Sequence, residues 1–181
     1  MSHFDRQIDT ERLMLRLPSR DHFESSVAMW SDSGVTRFIG GRPFTREETW
    51  ARLLRYIGHW QMLDYGYWVV IERETGRYVG EVGFADYQRD LGLPSKGVPE
   101  AGWALVPDVH GKGYATEAVL AATRWADRRW PSSPTICMID PENALSLRVA
   151  QKCGYVPMQR VTYRGMESMI CERVVGAGQA G

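Results

Sequence analysis

Apolar residues dominate the run Leu13-Met14-Leu15-Arg16-Leu17, which predicts a first strand stopped by Pro18. Asp21 is then placed to cap a helix reaching about Trp30. Thr45 followed by Glu48 is a capping-box pair, and Trp50, Leu53, Leu54, Ile57 and Trp60 recur behind it at helical spacing, so a second, amphipathic helix follows. Residues 67–71 read as a strand, 74–77 as a polar turn and 78–87 as the strand returning antiparallel. Residues 88–99 hold two prolines and two glycines without periodicity and read as an exposed loop into a strand at 100–106. Ala118, Ala122 and Trp125 form a helical apolar stripe, with Glu117, Arg124, Asp127 and Arg128 at charged positions around it. A strand at 135–139 comes next, then a helix that Asn143 can cap and Gly154 stops, and two extended stretches at 155–163 and 167–175. Strands alternating with helices around a central hairpin predict an α/β or α+β chain built on one mixed sheet.

Composition narrows the function classes. The 181 residues suit one domain, expected over 1–175, with 176–181, made only of Gly, Ala and Gln, as a flexible tail. Lysine and arginine total 22 against 22 aspartates and glutamates, so no global field recruits nucleic acid or an anionic membrane, and any ligand must be held locally. Cys137, Cys153 and Cys171 lack CxxC pairing or histidine companions at metal spacing and read as reduced core residues. The acidic, run-free start and the lack of a stretch near ~20 apolar residues give the expectation of a cytoplasmic protein. Of the seven tryptophans, Trp50 and Trp60 fall on one helix face, Trp125 on another, and Trp68 and Trp103 in strands, all compatible with core packing, while His3, His22 and His59 read as surface histidines.

The segment between the 100–106 strand and the following helix carries the chemistry. Amides at a helix N-terminus lack intrahelical partners and sit at the positive end of the helix dipole, so they bind phosphate oxygens without basic side chains. Gly111 and Gly113 suit such a turn, since without a Cβ they take positive φ and let a phosphate approach the main chain, and Lys112 adds charge at the rim. A Walker loop is excluded because Gly113 follows Lys112 where Ser or Thr belongs. A dinucleotide fingerprint fits poorly, because Thr116 replaces the third glycine and no parallel βαβ run precedes it.

The run His110-Gly111-Lys112-Gly113-Tyr114-Ala115-Thr116-Glu117-Ala118 resembles the pyrophosphate-binding motif of the GNAT superfamily of N-acetyltransferases. The likeness extends to Thr10-Glu11-Arg12-Leu13 with Leu15-Arg16, to Gly102-Trp103-Ala104-Leu105, and to Asn143 through Ser146 to Lys152-Cys153-Gly154-Tyr155. Together these resemble the branch that acetylates ribosomal-protein N-termini and span nearly the whole chain. One departure is His110, where the superfamily usually opens with Gln or Arg.

The resemblance implies an acyl-CoA N-acyltransferase fold whose sheet splays between the fourth and fifth predicted strands, with acetyl-CoA as co-substrate and an amine as acceptor. It implies pantetheine paired to the backbone near Leu105 and Val106, pyrophosphate on the amides of Gly111, Lys112, Gly113, Tyr114 and Ala115 beside His110, and a cofactor contact from Asn143. The acetyl group then lies beside Glu100, the first candidate for the base, with Glu81 in reserve. Ser146 is placed to give the departing thiolate a hydrogen bond, ahead of Tyr155. A homodimer is compatible with the resemblance.

The bland alternatives are a solvated Glu100, a strand-edge Glu81, a simple helix cap at Asn143 and a surface Ser146. The expected reaction is acetyl transfer to a primary amine with no metal. The acceptor is a protein N-terminus or a small amine such as an antibiotic, polyamine or amino-acid derivative. The rival is a non-catalytic acyl-CoA-binding module, which needs the glycine turn and Asn143 but not Glu100 or Ser146; a nucleotide-binding domain is the third reading.

Overall fold

Eight strands share one sheet in the order β1-β2-β3-β4-β5-β6-β8-β7. A computed structural model describes residues 6–91 and 97–175. The elements are β1 (Ile8–Asp9), β2 (Leu13–Arg16), α1 (Phe23–Trp30), α2 (Ser33–Thr36), α3 (Arg46–Leu63), β3 (Tyr67–Glu72), β4 (Tyr78–Ala85), β5 (Glu100–Leu105), α4 (Tyr114–Arg129), β6 (Thr135–Ile139), α5 (Ala144–Lys152), β7 (Val156–Tyr163) and β8 (Met166–Arg173). Every neighbouring pair is antiparallel except β5 with β6. That parallel pairing covers only Glu100 with Ile136 and Ala101 with Cys137, and the two strands then part, as the expected splay requires. The two-residue β1 was not foreseen, and the predicted tail at 176–181 lies outside the described residues, as do His3 and 92–96 of the 88–99 loop.

Two helix starts test the capping logic. Thr45 accepts from the Glu48 amide while the Glu48 carboxylate accepts from the Thr45 amide at 2.8 Å, so α3 begins as expected. At α1 the expectation of an Asp21 cap is corrected. Ser19, in extended backbone, opens a 3-10 turn over Arg20–His22 that runs into α1, and its amide donates to His22 Nδ1 at 3.1 Å.

The buried face of α3 is also rotated from the expected one. Thr49, Leu53, Tyr56 and Trp60 are buried, whereas Trp50 is 37 % exposed and Leu54 and Ile57 are exposed as well. The larger rings set this: Tyr56 stacks on Tyr67 at 4.5 Å and Trp60 meets Trp68 edge-on at 5.0 Å, so those positions face the sheet and Trp50 is left against Phe23. The core centres on Trp60, Trp68, Trp125 and Trp130, with the Trp125 ring meeting the other three edge-on at centroid distances of 6.1, 5.1 and 5.6 Å. All three cysteines are buried and free, as read from the sequence.

Trp125 joins α4 to both sides of this cluster and is fully buried. Trp125→Ala is expected to destabilise the fold by roughly 3–5 kcal/mol, read as a lower urea midpoint.

Candidate active site

Backbone groups of β5 decide what the splay offers. The Val106 amide donates to Val79 of β4 at 3.0 Å, so the alternate residues Ala104 and Gly102 also turn toward β4. Ala101, Trp103 and Leu105 therefore turn toward β6, and beyond Ala101 no strand pairs with them. The Val106 carbonyl accepts from the Val109 amide at 3.3 Å. The Val106 amide, expected beside the cofactor, is thus taken by β4 and its carbonyl is weakly engaged, whereas Trp103 faces the open side. Leu105 keeps a free amide, and its carbonyl meets His110 Nε2 at 2.9 Å. His110, expected to face the cofactor, thereby spends one ring nitrogen on closing the turn.

The glycine turn is built for an anion. Gly111 and Gly113 have φ of +76° and +82°, and Gly113 occupies the N-cap of the 16-residue α4 without any side-chain cap. The amides of Gly111, Gly113, Tyr114, Ala115 and Thr116 meet no acceptor among the described residues, while that of Lys112 donates to Val109 at 3.3 Å. Five free amides converge at the positive end of a helix dipole, which fits a pyrophosphate. Lys112 is again a partial correction: its amide is already weakly engaged.

What holds the turn in place comes from the other end of the chain. Arg12 donates to the Lys112 carbonyl at 2.9 Å and pairs with Glu117 at 2.7 Å, and Glu117 also accepts from the Arg12 amide and from Thr10 Oγ1 at 2.6 Å. The Arg12 guanidinium lies 4.5 Å over the Tyr114 ring. The run Thr10-Glu11-Arg12-Leu13 thus locks β2 to the first turn of α4, a role visible only as resemblance in the sequence.

A cavity of about 620 Å³ opens at the splay and continues to α3. Glu100, Glu81, Asn143 and Ser146 all line it, so the structure brings together the candidates separated in sequence. Asn143 is the N-cap of α5, its Oδ1 accepting from the Ser146 amide at 3.1 Å, which leaves its Nδ2 hydrogens free. The Ser146 hydroxyl has no protein partner among the described residues. Tyr155 is buried outside this cavity with its hydroxyl 3.0 Å from Thr135 Oγ1, which removes it as a proton donor to the site.

The two glutamates differ sharply. Glu81 is not at a strand edge but in the middle of the sheet, 1 % exposed, and its carboxylate accepts from Ser26, Tyr78 and Trp30 at 2.8, 2.8 and 3.1 Å. Three of its roughly four acceptor positions are taken. Glu100 is 9 % exposed and among the described residues meets one partner, Arg89, through two contacts of 2.9 and 3.2 Å. Burial pushes the Glu100 carboxyl above its ordinary value, against the opposing charge and hydrogen bonds of Arg89. Arg89 is itself held between Tyr87 at 4.3 Å and Tyr163 at 4.7 Å. Nothing in the aperiodic 88–99 stretch marked Arg89 in the sequence. Gly102 admits a further ring, since a Cβ there would stand 1.9 Å from Tyr67 Oη. His59 is half-buried on the cavity wall, its Nδ1 2.9 Å from the Arg55 carbonyl, rather than on open surface.

Residues 12–156 match the acetyltransferase (GNAT) domain family. The chain belongs to the GNAT acetyltransferases. It is an acetyl-CoA-dependent N-acetyltransferase by that membership. A protein of Bordetella pertussis assigned to the same family superposes with a TM-score of 0.82 at 28 % identity, covering 94 % of this chain and 100 % of that one. YnaD of Bacillus subtilis (strain 168), named only as an N-acetyltransferase, is 28 % identical over 147 residues, 81 % of each chain. RimL, a ribosomal-protein α-N-acetyltransferase solved with coenzyme A, shares the fold with a TM-score of 0.76 at 15 % identity, covering 94 % of this chain and 99 % of that one. No helix among the described residues is long and apolar enough to cross a membrane, and no cluster of metal-ligating side chains occurs among them.

The Arg12 lock gives this GNAT enzyme a test remote from the reacting atoms. Arg12→Gln removes two charged contacts to the glycine turn, and the dissociation constant for coenzyme A, measured by calorimetry, is expected to rise roughly tenfold.

Proposed function

We propose that this enzyme transfers the acetyl group of acetyl-CoA directly to a primary amine, with a protein N-terminal amine as the favoured acceptor and Glu100 as base. The single observation that carries the assignment is the meeting, in one cavity, of a buried carboxylate with free capacity and the unpaired edge of β5. Pyrophosphate lies on the amides of Gly111, Gly113, Tyr114 and Ala115, and pantetheine pairs with Trp103 and Leu105. Asn143 contacts the cofactor through Nδ2. The amine nitrogen attacks the thioester carbonyl, a free β5 amide stabilises the oxyanion, and Glu100 removes the amine proton through a water. As the carbon–sulfur bond breaks, the Ser146 hydroxyl donates a hydrogen bond to the departing thiolate.

Acceptor basicity supports the N-terminal preference. Deprotonation at pH 7 costs about 1 kcal/mol for an α-amine of pKa ~7.7–8.0 but about 4.6 kcal/mol for a lysine amine near ~10.4. A carboxylate whose charge is shared with Arg89 suits the smaller task. The cytoplasm, where acetyl-CoA and nascent N-termini meet, is the compartment that fits. One body spanning 1–175 and a homodimer also belong to this proposal.

Thiol release from acetyl-CoA across N-terminal peptides and small amines tests it. Glu100→Gln is expected to lower kcat by roughly 10²–10⁴ with little change in coenzyme A affinity, and Ser146→Ala by roughly tenfold. Undiminished turnover in Glu100→Gln would remove it as the base, and turnover confined to small amines would reassign the acceptor.

The pH dependence follows from the Arg89 pair. A base works ionised, so the acid limb of kcat/KM lies above that of an ordinary glutamate. Arg89 favours the ionised form, and Arg89→Gln is therefore expected to move that limb to higher pH, measured from kcat/KM profiles. The raised carboxyl also means that the folded state binds more protons between the unfolded and folded values, so its contribution to stability falls as pH rises through that window.

A further inference from the structure

The cavity's acceptors and donors are unequally satisfied on the side facing α3. Glu81 receives three hydrogen bonds, Glu100 two, Asp86 those of the Gln88 amide and side chain, and Asp140 that of the Glu142 amide. Arg89 is paired with Glu100, but two other guanidiniums of the wall are not so provided. Among the described residues Arg52, with five N–H donors, makes one hydrogen bond, to Tyr56 Oη at 3.0 Å, and its buried Nε has no partner there. It lies flat against Trp30 at 4.0 Å and Phe44 at 4.9 Å and meets no carboxylate at ion-pair distance among the described residues. Arg55, one turn further along α3 on the same cavity wall, stacks on Tyr87 at 5.5 Å and is likewise without an ion pair there.

From this imbalance we infer that the amine acceptor carries a carboxylate, bound by Arg52 with Arg55 while its amine reaches toward Glu100. Arg52 is half-buried, and a ring-stacked guanidinium whose Nε hydrogen is buried without a partner is a costly arrangement unless an anion completes it. The planar fork and the aromatic faces hold it ready for a carboxylate's two oxygens. The ligand supplies the anion that Arg52 lacks, since no carboxylate among the described residues reaches it at hydrogen-bond or ion-pair distance. The same chemistry is offered by a free amino acid, through its α-carboxylate, and by a peptide with an acidic residue near its N-terminus. The inference rests on amine acetylation as the function but is tested apart from it.

Calorimetry on the coenzyme A-loaded protein compares matched pairs: amino acids against their carboxamides, and short peptides with Asp or Glu at the second position against Asn or Gln. Wild type is expected to bind carboxylate members roughly tenfold or more tightly than their amides. Arg52→Gln is expected to abolish that preference, and Arg52→Lys to keep part of it, with coenzyme A affinity unchanged in both. The member of the panel that shows the preference identifies the source. Equal binding within every pair, no binding by any member, or a preference that survives in Arg52→Gln overturns the inference. Turnover is scored separately: carboxylate-selective binding without acetylation of any amine refutes the proposed reaction and leaves the anion site standing.

Discussion

The parting of β5 from β6 after Ala101 and Cys137 sets the conditions for the rest of the molecule. A sheet interior normally consumes every backbone group, and an open edge inside it is a liability unless something fills it. Here Trp103 and Leu105 are left without a strand partner on the β6 side, and the protein manages the defect locally. His110 takes the Leu105 carbonyl, Val106 is returned to β4, and the chain leaves β5 through a turn whose glycines adopt positive φ. The unsatisfied groups that remain are therefore confined to the β5 edge and the start of α4, the two places where an extended ligand with a diphosphate can complete them.

Rigidity around the opening comes from contacts far apart in sequence. Arg12 and Thr10 reach Glu117 across more than 100 residues, and Arg173, paired with Asp127 at 2.5 and 2.8 Å, donates to the Cys153 carbonyl and binds β8 to α4 and the end of α5. Both acidic residues lie on α4, the helix whose N-terminus is left uncapped. The free amides are thus offered by a helix fixed through its flanks, so little ordering is required when an anion arrives.

The fold was legible where its signals are local. The Thr45–Glu48 box, the Asn143 cap, the glycine turn and the strand runs depend on neighbours within four residues and appear as expected. The failures share a cause: α3 presents Tyr56 and Trp60 rather than Trp50 to the sheet because rings on β3 choose the face, and no periodicity within α3 encodes β3. The site divides the same way. Resemblance marked Glu100, Asn143 and Ser146, but not that Arg89 would pair with Glu100, nor that Val106 would be spent on Val79, since strand register and an aperiodic loop decide these.

Two glutamates in one cavity show how environment separates roles that composition leaves equal. Glu81 receives hydrogen bonds from three neutral donors, which leaves it little acceptor capacity for a substrate. Glu100 has a single cationic partner that is held by two aromatic rings rather than by further ion pairs. A guanidinium shares its charge with a carboxylate without taking its proton, because it is never deprotonated in this pH range. Arg89 can thus keep a buried carboxyl ionised while leaving it basic, which a protonatable neighbour such as lysine or histidine would do less reliably. Rings flank a guanidinium at Arg52 as well, but there no carboxylate among the described residues pairs with it, so one cavity holds a paired proton acceptor and spare donors.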